Sequence, residues 1–540
     1  MTRSRFTVSL VLMVVVLAGL ACNLLDDFAN IPDPEGLATD DVSVPTRTPA
    51  VAGPTRTPFP QVTLPPPSTP EAAFELTLDE AGAAEAALRP AFAGDLALAS
   101  LAGATRYVLD VTVTFENSRA ATLAGSVRIR YTNRTDAALN EVYLMLWPNH
   151  PTQYLGSLAL GRVTVAGAAV DPVLEQAGLA ARVPLAAPLA PGAQVELSAE
   201  FTAEARGGLE GGARYGLSNG VLLAPSFYPM IPRLVDGAWQ IEPAPVGGDT
   251  TNSDTSFYAW RVTAPAALTV AATGTVIDRT ATADSQTQVL ITGPVRDLAL
   301  VVGPLERTER LVDGITVSTY LLGEHAGEAE QMLDQAEAQI LNLQDKVGPY
   351  PFTELDIVDA PGAFGGIEYP ALIFIGVVDG GFYEQANVHE VGHQWFYSLI
   401  GDDQLREPWL DEAAASYTEV LYAERVYGAG AAQSALDNFW FYVLSAENPE
   451  LPIGLAIADY PSSNEYALLV YGKGALFFNA LRRELGDEVF FEFLRNYYDT
   501  YKYGFATSAG YQAVAEETCG CELDELFNLW VFEGGPVTPP

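Results

Sequence analysis

The sequence predicts a multidomain protein in which an all-β region precedes a mixed α and β region. Three observations lead to this prediction. The chain has 540 residues, which is more than a single hydrophobic core usually holds. Between residues 105 and 308, apolar side chains alternate with polar ones in short runs. From residue 309 to the last residue, apolar side chains recur mainly at helical spacing.

Alternating apolar residues mark the β-rich region, residues 105–308. In the clearest runs, 107–115 and 127–131, every second side chain is apolar and the intervening ones are mostly polar. That alternation places the apolar side chains on one face of a strand. Glycine, proline and asparagine separate the runs. We therefore expect a sheet region of roughly 200 residues, a size typical of one domain.

Helical periodicity marks the second region, residues 309–540. Between residues 329 and 347, apolar side chains recur at steps of four and three, which predicts one face of a helix. The segment 348–351 holds a glycine and two prolines and should end that helix. Residues 355–358 are mostly apolar and predict a strand, and helical patterns dominate from there onward.

Residues 1–22 are predicted to be a signal peptide. Arg3 and Arg5 give a positive start, and an uncharged, mostly apolar run follows over residues 6–20. This run is shorter than the roughly 20 residues of a membrane-spanning helix. It ends at Cys22, in a sequence similar to the site where bacterial lipoproteins are cleaved and acylated. We expect an extracytoplasmic protein held to the cytoplasmic membrane by a lipidated Cys22; a secreted product and an uncleaved N-terminal anchor are the alternatives.

Residues 23–104 are predicted to be a linker. Residues 31–70 lack hydrophobic periodicity, and Pro-Thr-Arg-Thr-Pro occurs twice within them. Chain rich in proline favours extended polyproline conformation, so we expect a semi-rigid stalk. The alanine-rich stretch 71–101 predicts a short helix ahead of the folded body.

Charge and cysteine content exclude several classes of function. The chain has 28 basic and 68 acidic residues, a formal charge of −40. Such a surface repels phosphates, so nucleic acid is not an expected partner. Besides Cys22, the chain has only Cys519 and Cys521, which excludes a disulfide framework. We interpret these two cysteines as part of a turn with two free thiols, rather than as a small disulfide.

Residues 389–393, His-Glu-Val-Gly-His, are the first motif that carries chemistry. Side chains four residues apart lie on one face of a helix, so His389 and His393 can bind a single ion. Glu390 can then take a proton from water at that ion. We expect this helix to span residues 384–399, with Gly401 just past its end. The alternative is a pair of helix-face histidines in a polar patch, and the chain has only 4 histidines from which chance could form one.

Glu412 is the expected third ligand of that ion. A polar segment, residues 401–407, leads to Pro408, a residue suited to the start of a helix. Glu412 follows the motif after eighteen intervening residues. Two imidazoles and one carboxylate leave a position open for water or substrate, as in catalytic zinc sites. Glu419, two turns further on, could hydrogen-bond the far nitrogen of a ligating histidine. We therefore predict one Zn²⁺ per chain.

In these residues the chain resembles the M1 family of gluzincin metallopeptidases, over roughly residues 107–536. The family carries its glutamate ligand in a Trp-Leu-Asn-Glu-type segment, which here is residues 409–412 with Asp411 in place of asparagine. The resemblance implies a saddle-shaped β domain, a thermolysin-like catalytic domain and zinc-dependent peptide hydrolysis. The chain looks like a short form without the family's C-terminal helical domain, which implies a more open cleft.

A second family motif, Gly-Ala-Met-Glu-Asn, corresponds to residues 365–369, Gly-Gly-Ile-Glu-Tyr, with departures at positions 367 and 369. This resemblance implies that Glu368 binds the α-amine of the substrate. It also implies that Gly365 and Gly366 pair through their backbone with the substrate chain.

A third motif of the family, Tyr-x-Lys-Gly, matches residues 471–474. It implies that Tyr471 donates a hydrogen bond to the oxyanion of the reaction. Taken together, the resemblance predicts an aminopeptidase that acts on extracellular peptides. The alternatives are an endopeptidase that ignores the substrate N-terminus, a non-catalytic cell-surface binding protein on the same fold, and a small-molecule hydrolase.

Overall fold

The computed structural model describes residues 76, 83–209, 213–245, 248, 253–362, 364–377 and 381–540. Cys22, the expected signal peptide and the expected proline-rich stalk, residues 31–70, lie outside these residues, so the predictions made for them stay predictions. Within the described part of the chain, no helix has both the length and the apolar character needed to cross a membrane.

The β-rich region contains strands β1 to β17. Their bounds are β1 (Arg106–Asn117), β2 (Ala120–Thr132), β3 (Leu139–Met145), β4 (Gly156–Val165), β5 (Ala168–Val170), β6 (Val173–Glu175), β7 (Ala180–Leu189), β8 (Gln194–Arg206), β9 (Gly216–Ser218), β10 (Val221–Pro225), β11 (Leu234–Val235), β12 (Ala238–Trp239), β13 (Phe257–Pro265), β14 (Thr269–Ala272), β15 (Thr275–Ala281), β16 (Ser285–Ile291) and β17 (Ala299–Gly303).

An eight-stranded sheet forms the centre of this region, in the order β15-β16-β13-β1-β2-β8-β4-β5. A four-stranded sheet, β14-β17-β10-β9, and a three-stranded sheet, β3-β7-β6, complete most of the region. The predicted alternation is confirmed along β1, where Val111 and Val113 are buried while Asp110 and Thr112 are exposed. Val108 is buried on the opposite face, because Leu76 packs there.

The second region combines one mixed sheet with nine α-helices among the described residues. Its strands are β18 (Leu305–Val312), β19 (Ile315–Leu322), β20 (Glu354–Asp359), β21 (Gly366–Ile367) and β22 (Leu372–Ile375). Its helices are α1 (Ala329–Lys346), α2 (Glu384–Gly392), α3 (Trp409–Tyr427), α4 (Ala429–Ser445), α5 (Ser463–Ala467), α6 (Gly474–Leu485), α7 (Asp487–Tyr501), α8 (Ser508–Cys519) and α9 (Asp524–Phe527). Two π-helical segments are Leu468–Lys473 and Asn528–Phe532.

Helix α1 and strand β20 confirm the helical and strand patterns read between residues 329 and 358. The predicted face of α1 is buried, including Leu333, Ala336, Ile340 and Leu343. The mixed sheet has the order β18-β19-β20-β22-β21, in which β20 pairs in parallel with both neighbours. Strand β21 therefore lies at an edge of this sheet.

The alanine-rich stretch ahead of β1 folds differently from the expected single helix. It forms three 3-10 helices, Ala83–Ala87, Pro90–Ala97 and Ala99–Leu101. Pro90 interrupts the stretch because proline cannot continue a helix begun before it. The segment also packs on the body of the protein: Leu88 is buried, and the Arg89 guanidinium donates at 2.8 Å to the Tyr350 carbonyl.

Arg296 joins the two regions. It lies in the chain just before β17 and is only 2% exposed. Its Nε donates to the carbonyl of Tyr397 at 2.7 Å, and an Nη donates to the carbonyl of Gly504. The next residue, Asp297, accepts a hydrogen bond from the Tyr397 hydroxyl. Both contacts at Tyr397 involve the segment that directly follows α2.

Cys519 and Cys521 form a disulfide, so the interpretation of this segment as a turn with free thiols was wrong. Helix α8 ends at Cys519, and Gly520 follows with a left-handed φ of +62°. That conformation turns the chain back at once and brings the two Cα atoms to 5.2 Å. This separation lies within the range that a disulfide can bridge.

Candidate active site

Helix α2 places both histidines of the His-Glu-Val-Gly-His motif in the interior, between α1 and α3. Buried amide side chains fix it against α1. Asn387 donates to the Met332 carbonyl at 3.0 Å, and Gln339 donates to the Val388 carbonyl at 3.3 Å. Such bonds satisfy buried polar groups and define the rotation of the helix about its axis. That rotation turns His389 towards α3.

Helix α2 is shorter than predicted: it ends at Gly392 rather than at residue 399. A Cβ on Gly392 would lie 2.4 Å from the Thr418 hydroxyl, so α2 and α3 pack too closely for any other residue there. After His393 the chain turns, and the Ser398 N–H donates to the His393 carbonyl at 3.0 Å. Tyr397 has a φ of +118°, which a helix cannot contain. Its contacts with Arg296 and Asp297 hold this conformation.

Three ligand atoms converge at the end of α2. His389 Nε2 and His393 Nε2 lie 3.0 Å apart, and Glu412 Oε2 lies 3.3 Å and 3.2 Å from them. All three residues are at most 4% exposed. Glu412 comes from the first turn of α3, which begins just after Pro408 as predicted.

The hydrogen bond at Nδ1 of each imidazole determines whether Nε2 of the same ring can act as a metal ligand. His389 Nδ1 lies 3.0 Å from Glu419 Oε1, and His393 Nδ1 lies 3.0 Å from the Phe396 carbonyl. Both partners accept, so each neutral ring carries its hydrogen on Nδ1. Each Nε2 then presents a lone pair, and Glu412 adds a third acceptor. When both rings are neutral, these three buried acceptors face one another without a donor among the described residues, and a bound cation would satisfy all three.

The spacing of these atoms fits zinc. Donors roughly 2.0–2.1 Å from a tetrahedral ion lie about 3.3–3.4 Å from one another. The observed separations of 3.0 to 3.3 Å are close to that. Two imidazoles and one carboxylate also form a donor set typical of catalytic zinc. Burial opposes the charged form of His389, but its bonds to Glu412 and Glu419 raise its pKa to about 9, so the pocket stabilises positive charge.

Glu390 lies beside this cluster and against β21. A Cβ on Gly366 would lie 2.3 Å from Glu390 Oε1, so only glycine lets the strand approach the carboxylate this closely. Burial raises the pKa of Glu390 to about 8, although His389 and His393 lower it. A carboxyl group with a pKa near neutrality can both accept and return a proton.

Glu368 follows β21 directly and is buried near Glu390. One oxygen of Glu368, one of Glu390 and a ring nitrogen of His393 lie within 4.8 Å of one another. Gln394 supports the backbone here, since its amide accepts from the Ala371 N–H at 2.8 Å and donates to the Tyr369 carbonyl at 3.3 Å. The structure therefore brings the predicted Glu368 within a few ångströms of His393, and Gly366 lies against Glu390, with Gly365 next to it in the chain.

Tyr471 stacks on the ring of His389, with centroids 5.8 Å apart and an interplanar angle of 19°. It lies in the π-helical segment Leu468–Lys473, a type of segment that occurs often at functional sites. The rest of its motif packs and anchors. Lys473 is buried and donates to the carbonyls of Pro449 and Leu451 at 3.0 and 2.7 Å. A Cβ on Gly474 would lie 2.3 Å from that of Ala413 in α3.

The two remaining histidines have structural contacts. His150 is buried, and its Nδ1 accepts from the Gln153 N–H at 3.2 Å. His325 Nδ1 lies 2.6 Å from Asp359 Oδ2. The structure also adds a residue near the site that sequence reasoning missed. Gln404, in the polar segment 401–407, contacts Glu368, and its position in the sequence carries no signal of that contact.

Comparison with known proteins agrees with this geometry. Residues 383–530, which hold the histidine cluster and Tyr471, match the peptidase family M1 domain. Over these residues the chain is similar to the M1 peptidases. Aminopeptidases are among the relatives it matches: Aminopeptidase M1-C of Oryza sativa subsp. japonica is 25% identical over 263 residues, and Aminopeptidase B of Rattus norvegicus is 30% identical over 169 residues.

These matches are partial. The alignment with Aminopeptidase M1-C covers 44% of this chain and 29% of the relative, and that with Aminopeptidase B covers 29% and 26%. Among solved structures, an M1 zinc metallopeptidase from Deinococcus radiodurans superposes with a TM-score of 0.62 at 22% identity. That match covers 81% of this chain and 96% of the other, so the fold of the M1 domain and the β-rich region before it is shared.

Proposed function

We propose that this protein is a zinc-dependent peptidase of the aminopeptidase type, which removes N-terminal residues from peptides. The observation that carries the proposal is the convergence of three buried acceptors, from His389, His393 and Glu412, beside the carboxylates of Glu390 and Glu368. A zinc ion held by the three acceptors would polarise a carbonyl group and lower the pKa of water at the site.

The proton chemistry belongs to Glu390. Its carboxylate lies next to the ion site, and a pKa raised towards neutrality lets it accept a proton from the attacking water and pass it to the leaving amine. Glu419 keeps the hydrogen of His389 on Nδ1 and so keeps Nε2 available as a ligand. Tyr471, stacked on His389, is the proposed donor to the oxyanion.

The position of Glu368 favours an exopeptidase over an endopeptidase. The α-nitrogen of a peptide lies about 2.5 Å from the carbonyl carbon of the same residue, given standard backbone geometry. A carboxylate that binds the α-ammonium must therefore lie next to the ion that polarises that carbonyl. Glu368 meets this condition, since one of its oxygens lies within 4.8 Å of a His393 ring nitrogen. It would therefore select the first peptide bond.

The edge strand β21 offers a place for the rest of the substrate. It pairs with β22 on one side and has no described strand on the other. An extended peptide can add to such an edge through backbone hydrogen bonds. The relationship to peptides also has support from a solved relative: a mutant of the Deinococcus radiodurans enzyme, 21% identical to this chain, was determined with a Tyr-Ser-Ala substrate.

We also propose that the protein acts outside the cytoplasm, attached to the membrane by an acylated Cys22. The support is the N-terminal sequence alone: a positive start, a short apolar run and a cysteine, followed by a proline-rich stalk. Growth with labelled fatty acid should label the protein, and Cys22→Ser should abolish the label. A labelled Cys22→Ser variant would contradict the anchor.

The peptidase proposal is tested with purified protein lacking residues 1–22 and with matched fluorogenic peptides that are either free or acetylated at the N-terminus. We expect hydrolysis of the free peptides only, lost with a zinc chelator and restored by zinc. Hydrolysis of both kinds would make the protein an endopeptidase. Hydrolysis of neither would favour a binding protein on the same fold.

Glu390→Gln is the matched control for the role of the carboxylate. The amide has nearly the same shape but cannot accept the proton, so we expect full zinc content and a loss of turnover of at least roughly 100-fold, the range for general acid–base catalysis. Turnover at the level of the unsubstituted protein would contradict the proposed mechanism.

A further inference from the structure

Gln404 contacts Glu368 from a segment that no part of the mechanism above uses. It lies between α2 and α3, eleven residues after His393. Its amide nitrogen, Nε2, lies 3.0 Å from Glu368 Oε1 and 3.0 Å from Asp411 Oδ2. All three side chains are at most 6% exposed. One primary amide thus donates both of its hydrogens to two buried carboxylates.

We propose that Gln404 is a positioning residue for the substrate N-terminus: it holds the Glu368 carboxylate in the orientation that receives the α-ammonium group. The proposal rests on the proposed aminopeptidase function. It adds a residue of the amine subsite that lies outside the motif containing Glu368.

The two carboxylates define the orientation of the amide. A rotated amide would direct Gln404 Oε1 at two anionic oxygens, which repel it, so Nε2 must face them. In this orientation Oε1 is buried and has no hydrogen-bond partner among the described residues. A buried acceptor without a partner destabilises a fold. The stabilising contacts of this amide are therefore the two hydrogen bonds that its nitrogen donates, and its oxygen contributes none.

A neutral donor suits this position better than a cation. A lysine or arginine would pair with Glu368 and cancel the charge that the substrate ammonium needs. The glutamine amide donates one hydrogen to Glu368, occupies a single oxygen and leaves the negative charge in place. The donated bond also restricts the rotation of a carboxylate that accepts no other hydrogen bond from the described residues. A preoriented acceptor loses less entropy when the ammonium binds.

Asp411 connects this arrangement to the ion site. Its Oδ1 accepts from the backbone N–H of Glu412 at 2.8 Å, while its Oδ2 accepts from Gln404. Asp411 stands where the M1 family has asparagine. A carboxylate has only acceptor atoms, and the Gln404 nitrogen, a donor, needs an acceptor. A continuous path of hydrogen bonds thus runs from the first turn of α3 to Glu368.

The test measures binding of substrate in the zinc-loaded Glu390→Gln protein, where turnover does not interfere. Calorimetry would compare a leucyl-alanine dipeptide with its N-acetyl counterpart, before and after Gln404→Met. Methionine is close in size to glutamine but donates nothing. We expect the affinity for the free dipeptide to fall roughly 10-fold or more, the usual effect of losing a hydrogen bond to a charged group. The affinity for the acetylated dipeptide should stay within about twofold, because it carries no ammonium.

Two controls separate positioning from general damage. Gln433→Met makes the same substitution at an exposed glutamine on α4 and should change neither affinity. Gln404→Leu provides a second non-donating side chain if the methionine variant does not fold, and the same selective loss is expected. Zinc content should be unchanged in every variant.

Each outcome decides between the two proposals. An unchanged affinity for the free dipeptide, or an equal loss for both dipeptides, would overturn the role of Gln404 and leave the aminopeptidase function standing. Equal affinities for the two dipeptides before any substitution at Gln404 would overturn the amine-binding function, and the role of Gln404 with it.

Discussion

Replacing Arg296 should weaken the contact between the β-rich region and the segment that follows helix α2, and so destabilise the protein. Arg296 is buried and donates to the carbonyls of Tyr397 and Gly504 in the second region, and at 3.4 Å to the carbonyl of Ser253 in its own region. Its guanidinium also lies 4.3 Å from the ring centroid of Phe505. We choose Arg296→Met, which keeps much of the side-chain volume and removes every donor.

The magnitude follows from the groups that lose a partner. A buried carbonyl left without its hydrogen bond costs roughly 1–3 kcal/mol, and Arg296→Met affects three of them, of which the bond to Ser253 is long. Removing the guanidinium also recovers the cost of burying a charge, which lowers the pKa of Arg296 to about 10. The net effect should be a loss of about 3–5 kcal/mol, the usual range for breaking a buried charged network.

The assay is urea unfolding, monitored by tryptophan fluorescence. A chain with two regions need not unfold in one step, so the transition of the second region is analysed separately. Arg483→Met, on an exposed side chain, is the control and should change stability by less than about 0.5 kcal/mol. A loss below about 1 kcal/mol for Arg296→Met, against the range expected for a broken buried network, would refute the reasoning.

Gly401→Ala gives an independent check of the same contact. A Cβ on Gly401 would lie 2.0 Å from the Arg296 Cζ, so alanine should displace the guanidinium and destabilise the protein too. Because both substitutions act on one contact, the double variant should lose less stability than the two single variants lose together. Additive effects would show that Gly401 and Arg296 act independently.

Three further predictions concern other parts of the molecule. Leu88→Ala should cost about 2–4 kcal/mol in urea unfolding because Leu88 is buried, whereas Leu98→Ala, at an exposed position, should cost under about 0.5 kcal/mol; equal effects would contradict the packing of the N-terminal segment. Burial raises the pKa of Asp356 to about 7, so folding takes up a proton between its unfolded pKa of roughly 3.9 and that value, and stability falls as the pH rises through this window. Asp356→Asn should therefore match the unsubstituted protein below about pH 4, where Asp356 is protonated in both states, and exceed it at pH 8, by on the order of 1 kcal/mol per pH unit of the window, while Asp284→Asn at an exposed site shows no such trend. Tyr471→Phe should lower kcat roughly 100- to 1,000-fold with little change in KM, since the hydroxyl acts on charge that develops in the transition state; a change confined to KM would assign Tyr471 to substrate binding instead.

Features that depend on neighbouring residues were predictable. Helix α1 and strand β20 follow from periodicity within a few turns of chain, and both were predicted within two residues of their bounds. The convergence of His389 and His393 follows from the geometry of one helix turn. The approach of Glu412 to the two histidines does not follow from one helix, because it depends on how α2 packs on α3. The spacing seen in a known family supplied that information.

Features that depend on distant residues were missed. The end of α2 at Gly392 is decided by Thr418 on α3 and by the contacts of Tyr397 with Arg296 and Asp297, about 100 residues earlier in the chain. Nothing within residues 384–399 shows those contacts. The disulfide of Cys519 and Cys521 was missed because only the left-handed turn at Gly520 brings the two cysteines together.

The sequence by itself determined the chemistry of this protein: which side chains can bind a metal ion, which carboxylate can take a proton, and that their spacing matches a helical site. Local geometry suffices for His389 and His393, which lie one turn apart on a helix, and the spacing of a known family identified Glu412 in the first turn of the next helix. The tertiary structure decided how the amine subsite is held. Gln404 and Glu368 are separated by 36 residues and meet only because α2, α3 and β21 pack around one buried cluster. A contact of that kind arises from the packing of the whole core, and no local pattern in the sequence encodes it.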